Sequence, residues 1–227
     1  MRYMPYLISA GLTLAALNAH ASPYLTLEAG QTRSNLDTAH FQSYHTGIIN
    51  QGGSAILSED NKDTAVILSV GYQYTPYLAI EASYLNLGEV SATSNTTDTS
   101  STGITRTRTI KETAEQNGVL LSAIGQYSVN DHWRLKAQLG FAWLKQTASG
   151  SANGQSVNAA GTVLATESES FSKSNNERVA VVGLGVGYQL KPDWQLQLNW
   201  RRVMGTEPGV LGKQDLDLLT AGVRVSF

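Results

Sequence analysis

The last nine residues of the chain, from Leu219 to Phe227, alternate without a break. Leu219, Ala221, Val223, Val225 and Phe227 fall on one face, and Thr220, Gly222, Arg224 and Ser226 on the other. A strict period of two marks a β-strand with one apolar face. Such a strand is unsafe at the border of a sheet, because an open edge leaves a row of unpaired N–H and C=O groups. It needs a neighbour on both sides. For a terminal strand, the simplest second neighbour is the first strand of the same sheet. This one segment therefore asks for a closed barrel.

The other end says where such a barrel would live. Met1-Arg2 is followed by an apolar stretch from Tyr6 to Leu17 and then by Ala19-His20-Ala21, the order of a secretory signal with an A-x-A cleavage site. The stretch is too short to cross a bilayer as a helix, and no other segment approaches the ~18 apolar residues a spanning helix needs. We read a signal peptide over 1–21 and a single domain over 22–227. The absence of cysteine from 227 residues rules out a disulfide framework and thiolate metal sites. A formal net charge of −2 leaves no electrostatic footprint for nucleic acid. No metal and no cofactor is expected.

Short turns recur at Thr75-Pro76-Tyr77, at Val129-Asn130-Asp131-His132 and at Leu190-Lys191-Pro192-Asp193. Pro, Asn and Asp supply the turn chemistry. The flanking segments predict eight strands: Tyr24–Ser34, Thr64–Tyr74, Tyr77–Gly88, Gln116–Ser128, His132–Gln146, Arg178–Leu190, Asp193–Met204 and Gln214–Phe227. At roughly 10–14 residues they are longer than usual globular strands and match tilted membrane-spanning ones. Three long polar loops separate them, Asn35–Asp63, Glu89–Glu115 and Thr147–Glu177, with a shorter fourth, Gly205–Lys213. Short turns alternating with long loops describe an all-β, eight-stranded, antiparallel up-and-down transmembrane barrel.

The strand faces agree. Trp133, Leu135, Ala137, Leu139, Phe141 and Trp143 share one face of the fifth strand, and Trp194, Leu196, Leu198 and Trp200 one face of the seventh. Aromatic residues bracket these apolar faces. Tyr74, Tyr127, Trp133, Tyr188, Trp194 and Phe227 lie beside short turns or at the C-terminus, and Tyr84, Trp143 and Trp200 stand six to ten residues further along. Ten residues of a tilted strand climb roughly 25 Å, the height of an apolar band between two interfacial aromatic girdles.

The opposite face carries the charges: Glu28, Glu81, Arg134, Lys136, Arg201 and Arg224. Eight strands leave a bore just wide enough for side chains to fill. Charges there must be paired, so we expect a polar plug, with Arg224 answering Glu28 on the adjoining first strand. Gly183, Gly185 and Gly187 face inward and make room for bulky partners rather than forming a nucleotide loop.

Chemistry outside the strands is sparse. His40 and His45 share the first long loop with Asp37, Ser43 and Tyr44, a set that would suit acyl transfer were it brought together. Thr105-Arg106-Thr107-Arg108-Thr109 alternates with basic residues, so Arg106 and Arg108 could meet phosphates or sulfates. Glu112 and Glu115 offset that charge, which favours a solvated strand extension.

Gly71-Tyr72-Gln73-Tyr74-Thr75-Pro76-Tyr77-Leu78-Ala79-Ile80-Glu81-Ala82-Ser83-Tyr84, followed by Leu87-Gly88, resembles the second hairpin of OmpA-type membrane domains. Gly187 to Trp194 resembles a later turn of the same family, and Gly222 to Phe227 is similar to the C-terminal signal read by the barrel-assembly machinery. The resemblance implies a barrel in a Gram-negative outer membrane, both termini periplasmic, surrounded by lipid and lipopolysaccharide. It also implies a buried ion pair at Glu81. The family's inward arginine on the seventh strand is here Gln197, which leaves Arg134, Lys136, Arg201 and Arg224 as candidate partners. In size the chain is similar to the small OmpX, Ail and opacity-protein barrels. The function implied is structural and surface-interacting: envelope integrity, adhesion or host contact through loops. The alternative is a narrow porin-like channel, and a third reading is a lipid A-modifying enzyme.

Overall fold

The computed structural model describes residues 22–35, 38–206 and 214–227. The expected signal peptide, 1–21, lies outside the described residues, as do Asp37 and most of the fourth loop. The described residues form β1 (Ser22–Ser34), α1 (Ala39–Asn50), β2 (Ser54–Asp60), β3 (Lys62–Thr75), β4 (Leu78–Thr99), β5 (Thr105–Ser128), β6 (Trp133–Val157), β7 (Val163–Lys191), β8 (Trp194–Thr206) and β9 (Gln214–Ser226). All strands except β2 form an antiparallel ring in chain order, and β1–β9 pairing from Tyr24↔Ser226 to Ser34↔Leu216 joins its ends. The Phe227 amide extends that seam by donating to the Pro23 carbonyl at 3.0 Å.

At the short-turn end the strand limits fall within two residues of those read from the sequence. At the other end they do not. Two of the expected long loops are β-hairpins that continue the barrel strands, so that β5, β6 and β7 run for 24, 25 and 29 residues. The reason is local. Thr and Ser alternate along these segments, and their hydroxyls tie neighbouring strands: Thr109 donates to Asn95 at 2.8 Å, Ser168 to Asn153 at 2.8 Å, and Thr113 meets Ser149 at 2.7 Å. β-Branched residues with cross-strand partners favour a sheet, whatever their polarity. From Trp143 to the end of β6 the hairpins rise roughly 35 Å, at about 3.3 Å per residue and about 40° of tilt.

The first long loop is also structured. Phe41, His45 and Ile48 recur at helical spacing on the inner side of α1, and Phe41 is buried against Val90, Ala92 and Ala114. β2 adds a fifth strand beside β4, from Ser54↔Thr97 to Asp60↔Ser91. The result is a crown: a sheet in the order β2-β4-β5-β6-β7 standing on one side of the barrel, with α1 packed against β4 and β5. A bulge between Asn86 and Glu89 marks where β4 leaves the barrel wall. Gly88 takes φ +79° there, in the left-handed region that only glycine enters cheaply, and Asp63 accepts the Glu89 amide at 2.6 Å.

On the barrel's outer surface, Leu27, Val70, Leu135, Leu139, Phe141, Leu184 and Leu198 are all exposed. A continuous apolar belt on a closed barrel is a surface for lipid, not water. Trp143, Tyr84 and Trp200 stand at its upper border and Trp133, Trp194 and Tyr127 at its lower, each exposed on the outside. Tyr74 and Tyr188 also face outward but are half-buried: Tyr74 packs edge-on against Tyr72 at 5.0 Å, and Tyr188 lies between His132 and Trp133. Among the described residues no helix is long and apolar enough to cross a membrane; the crossing is by strands.

Candidate functional site

Two places carry the polar chemistry: the lumen of the barrel and the crown.

The lumen is built around one ion pair. Glu28 projects inward from β1 and Arg201 from β8, and they meet over β9. Arg201 Nη1 donates to Glu28 Oε2 at 2.6 Å and Nη2 to Oε1 at 2.8 Å, with both side chains almost fully buried. Thr220 donates to the same carboxylate, and Gln138 accepts from Arg201 Nε at 2.7 Å. The pair is thereby held by hydrogen bonds to neutral neighbours as well as by charge, as burial requires. Glu28 therefore pairs with Arg201, not with Arg224 as the sequence suggested. The cause is register. Arg201 reaches Glu28 past Thr220, which bonds to both, whereas Arg224 stands one tier lower, opposite Thr26. Arg224 instead lies over the Tyr24 ring, 3.5 Å from its centroid, and donates to Gln73 at 2.6 Å.

Gly183, Gly185 and Gly187 prepare the space for β8. A Cβ at Gly183 would stand 3.1 Å from Arg201 Cγ, at Gly185 it would meet the Asn199 amide, and at Gly187 the Gln195 amide at 2.6 Å. The room is made for the adjacent strand rather than for partners across the barrel.

Glu81 is buried on β4 and accepts from the Ser83 hydroxyl at 3.2 Å. None of the four expected cations forms an ion pair with it among the described residues. Lys136 donates to Gln197 instead, and both Lys136 and Arg134 point inward, half-buried, toward the short-turn end.

The polar plug fills only part of the lumen. Above the ion pair the inward side chains are apolar: Ile67, Leu85, Leu120, Leu144, Val181 and Leu218 form one buried cluster with their neighbours. The sequence did carry a signal for this layer, since Val119-Leu120-Leu121 and Leu218-Leu219 are apolar on both faces of their strands. Between Glu28, Glu81, Lys136 and Arg201 a space of about 10 Å³ remains. That is room for a single water.

On the crown, His45 turns inward and its Nε2 meets Ser94 Oγ at 2.7 Å, while Thr38 donates to Glu59 at 2.8 Å. These contacts fasten α1 to the sheet. Ser43 faces solvent and donates to its own helix, at the Ala39 carbonyl. Ser43 and His45 are thus turned to different sides of α1, and Ser94, which His45 does reach, is fully buried. Asp37 and the side chain of His40 lie outside the described residues. Arg106 and Arg108 are exposed on β5, with Arg106 directly opposite Asp98.

The barrel has relatives. A family model described as "Outer membrane protein beta-barrel domain" matches residues 6–227. Among solved structures, Neisserial surface protein A aligns with a TM-score of 0.52 at 14% identity, covering 91% of this chain and 99% of that one. Ail, the attachment invasion locus protein of Yersinia pestis, aligns with a TM-score of 0.41 at 13% identity, covering 91% and 99%. OprG from Pseudomonas aeruginosa aligns with a TM-score of 0.44 at 12% identity, covering 92% and 97%. No curated protein matches. At 14% identity Neisserial surface protein A speaks for the fold alone, and the family rests on the family model that spans nearly the whole chain. The chain belongs to the outer membrane protein β-barrel domain family, whose place is the outer membrane of Gram-negative bacteria.

Proposed function

We propose that this protein is a closed, non-catalytic barrel that anchors a contact surface outside the cell. The short turns and both termini lie in the periplasm, and the crown projects outward through the lipopolysaccharide layer toward a host or neighbouring cell. In this reading the apolar belt is bathed by outer-membrane lipid, and the barrel-assembly machinery reads the strand that ends at Phe227. The observation that carries the proposal is that the crown is a built structure. A helix is docked on a five-stranded sheet by an apolar cluster and by the His45–Ser94 and Thr38–Glu59 hydrogen bonds. Binding residues tend to sit on segments positioned by a rigid scaffold. The lumen, by contrast, holds a buried apolar cluster around Leu85, Leu120 and Leu144 above the ion pair, which weighs against a pore as the main activity.

The test is to shorten the crown while sparing the barrel. The β4–β5 hairpin is joined by a tight turn just above the Glu89↔Glu115 pair, and the β6–β7 hairpin just above Ala148↔Lys173. The expected result is normal outer-membrane levels with loss of adhesion or serum survival. Unchanged adhesion, serum survival and envelope leakiness would refute the proposal.

A further inference from the structure

One strip of the outer wall, built by β5, β6 and β7, changes its chemistry with height. Within the apolar belt, Leu121, Phe141 and Ala180 stand side by side in one row, and Ala123, Leu139 and Val182 in the row below. Ala123 and Ala180 are small among large neighbours, and an open apolar hollow of about 520 Å³ lies there. The row above is Val119, Trp143 and Arg178, and the next is Asn117, Lys145 and Asn176. A second hollow, of about 460 Å³, opens among these side chains at the upper aromatic border. Lys145 and Arg178 bring exposed positive charge to it, and neither forms an ion pair with a described residue. Glu177 reaches this hollow from the inner face, where its carboxylate accepts from Gln146 at 2.8 Å.

Higher still, on the crown, the same outer face loses both charge and grease. Every outward residue of β6 from Thr147 to Gln155, and of β7 from Thr166 to Ser174, carries a hydroxyl or an amide. Glu167, Glu169, Phe171 and Lys173 alternate with them and turn to the other face. Hydroxyls and amides both donate and accept, which suits uncharged sugars. Elsewhere at this border the pattern fails. Lys62, Arg33 and Arg202 share a row with Asp217, which Arg202 holds at 2.7 Å, and β1, β8 and β9 end a few residues above it. Glu89 and Glu115 face each other one row above Lys145, so an anion is confined to the β6–β7 side.

We propose that this strip seats one molecule of a phosphorylated glycolipid, lipopolysaccharide. An acyl chain fills the lower hollow, a phosphate of the lipid's sugar anchor lies between Lys145 and Arg178 beside the Trp143 ring, and the core sugars climb the hydroxyl face. The strip continues the lipid belt on the same strands, so its occupant is a lipid. Cations at the border followed by a sugar-binding face then select which lipid. The assignment rests on the orientation proposed above, with the crown outermost, because lipopolysaccharide occupies the outer leaflet.

The chain has no cysteine, so Ser172→Cys carries a single environment-sensitive dye on the hydroxyl face. Refolded protein in detergent micelles, which have no sides, is mixed with lipopolysaccharide bearing core sugars, with lipid A or with phosphatidylglycerol, and native mass spectrometry counts the lipid retained. The expected result is one lipopolysaccharide per barrel, weaker retention of lipid A and none of phosphatidylglycerol, with a dye response to lipopolysaccharide alone. The double variant Lys145→Gln/Arg178→Gln is expected to bind about tenfold more weakly or worse, the loss of one charge-assisted hydrogen bond. Arg106→Gln/Arg108→Gln removes the same charge from the other face of the crown and is expected to bind like the parent. Retention of lipopolysaccharide no better than of phosphatidylglycerol overturns the proposal, as do equal losses in the two double variants or a silent dye. Should Lys145→Gln/Arg178→Gln not refold, Ala180→Trp, which fills the lower hollow, takes its place with the same expectation. In intact cells the Ser172→Cys protein is expected to react with a membrane-impermeant maleimide. No reaction overturns the orientation and this assignment together, whereas reaction in cells with no lipopolysaccharide bound in micelles overturns this assignment alone.

Discussion

Arg201 holds both carboxylate oxygens of Glu28 across β9, at 2.6 and 2.8 Å, with the two side chains 4% and 1% exposed. The bond joins β8 to β1 and so spans the seam at which the barrel closes. Removing one partner strands the other as a buried charge, which costs about 3–5 kcal/mol. Arg201→Met and Glu28→Leu are each expected to lose about that much in urea unfolding from lipid vesicles. The double variant should recover most of the loss, because an apolar pair leaves nothing to solvate. A double variant as unstable as the sum of the singles would show that the pair is not what couples these strands.

The apolar layer above that pair predicts electrical silence. Refolded protein in a planar bilayer is expected to show no discrete channel events. Leu85, Leu120 and Leu144 meet in this layer, and replacing all three by glycine is expected to produce small, flickering conductance without preventing insertion. Discrete steps from the unmodified protein would instead favour a pore.

The four tryptophans test the orientation of the wall. Trp133 and Trp194 stand at one border of the apolar belt, Trp143 and Trp200 at the other, and all four are exposed on the outer surface. Lipids brominated near the headgroup are expected to quench their fluorescence strongly, and lipids brominated at the chain ends to quench it less. The reverse order would place these residues at mid-bilayer and break the girdle assignment.

The glycine column of β7 is a packing device, and filling it should cost stability. Gly185 lies against the Asn199 side chain, leaving no room for a Cβ. Gly185→Leu is expected to lose about 1–3 kcal/mol or more through overpacking, read as a lower urea midpoint. Ala137→Leu on the lipid-facing side of β6 should be nearly neutral, since its side chain meets lipid.

What the sequence made legible was what depends on a strict alternation bounded by turn residues: the eight spanning strands and their in–out faces. Pairing was harder to read. Glu28 lies nearer to Arg224 than to Arg201 along the seam, and only the register, with Arg224 opposite Thr26 and Thr220 bonded to both members of the pair, shows which arginine can reach. The crown was hidden by polarity. Ser- and Thr-rich segments between strands look like loops when apolar alternation is the guide, and their cross-strand hydroxyl bonds appear only once the strands are side by side. The helix was foreshadowed by Phe41, His45 and Ile48, three residues at helical spacing in an otherwise polar stretch. The apolar seal was written at Val119-Leu120-Leu121, where a strand is greasy on both faces and alternation alone gives no direction.

β7 outruns its neighbour. It has 29 residues against 13 in β8, and their pairing reaches only to Ala180↔Met204. From Val163 to Val179, one flank of β7 has no strand beside it among the described residues. Every side chain from Val163 to Asn176 is exposed; beyond Val163 and Leu164 the run alternates Ser with Glu167, Glu169 and Lys173, Phe171 being its one aromatic. Such a flank would template fibre growth if it were flat and apolar. Here charge and hydroxyl groups keep it wet. In the proposed orientation, many copies can therefore stand close together without their crowns zipping into a continuous sheet.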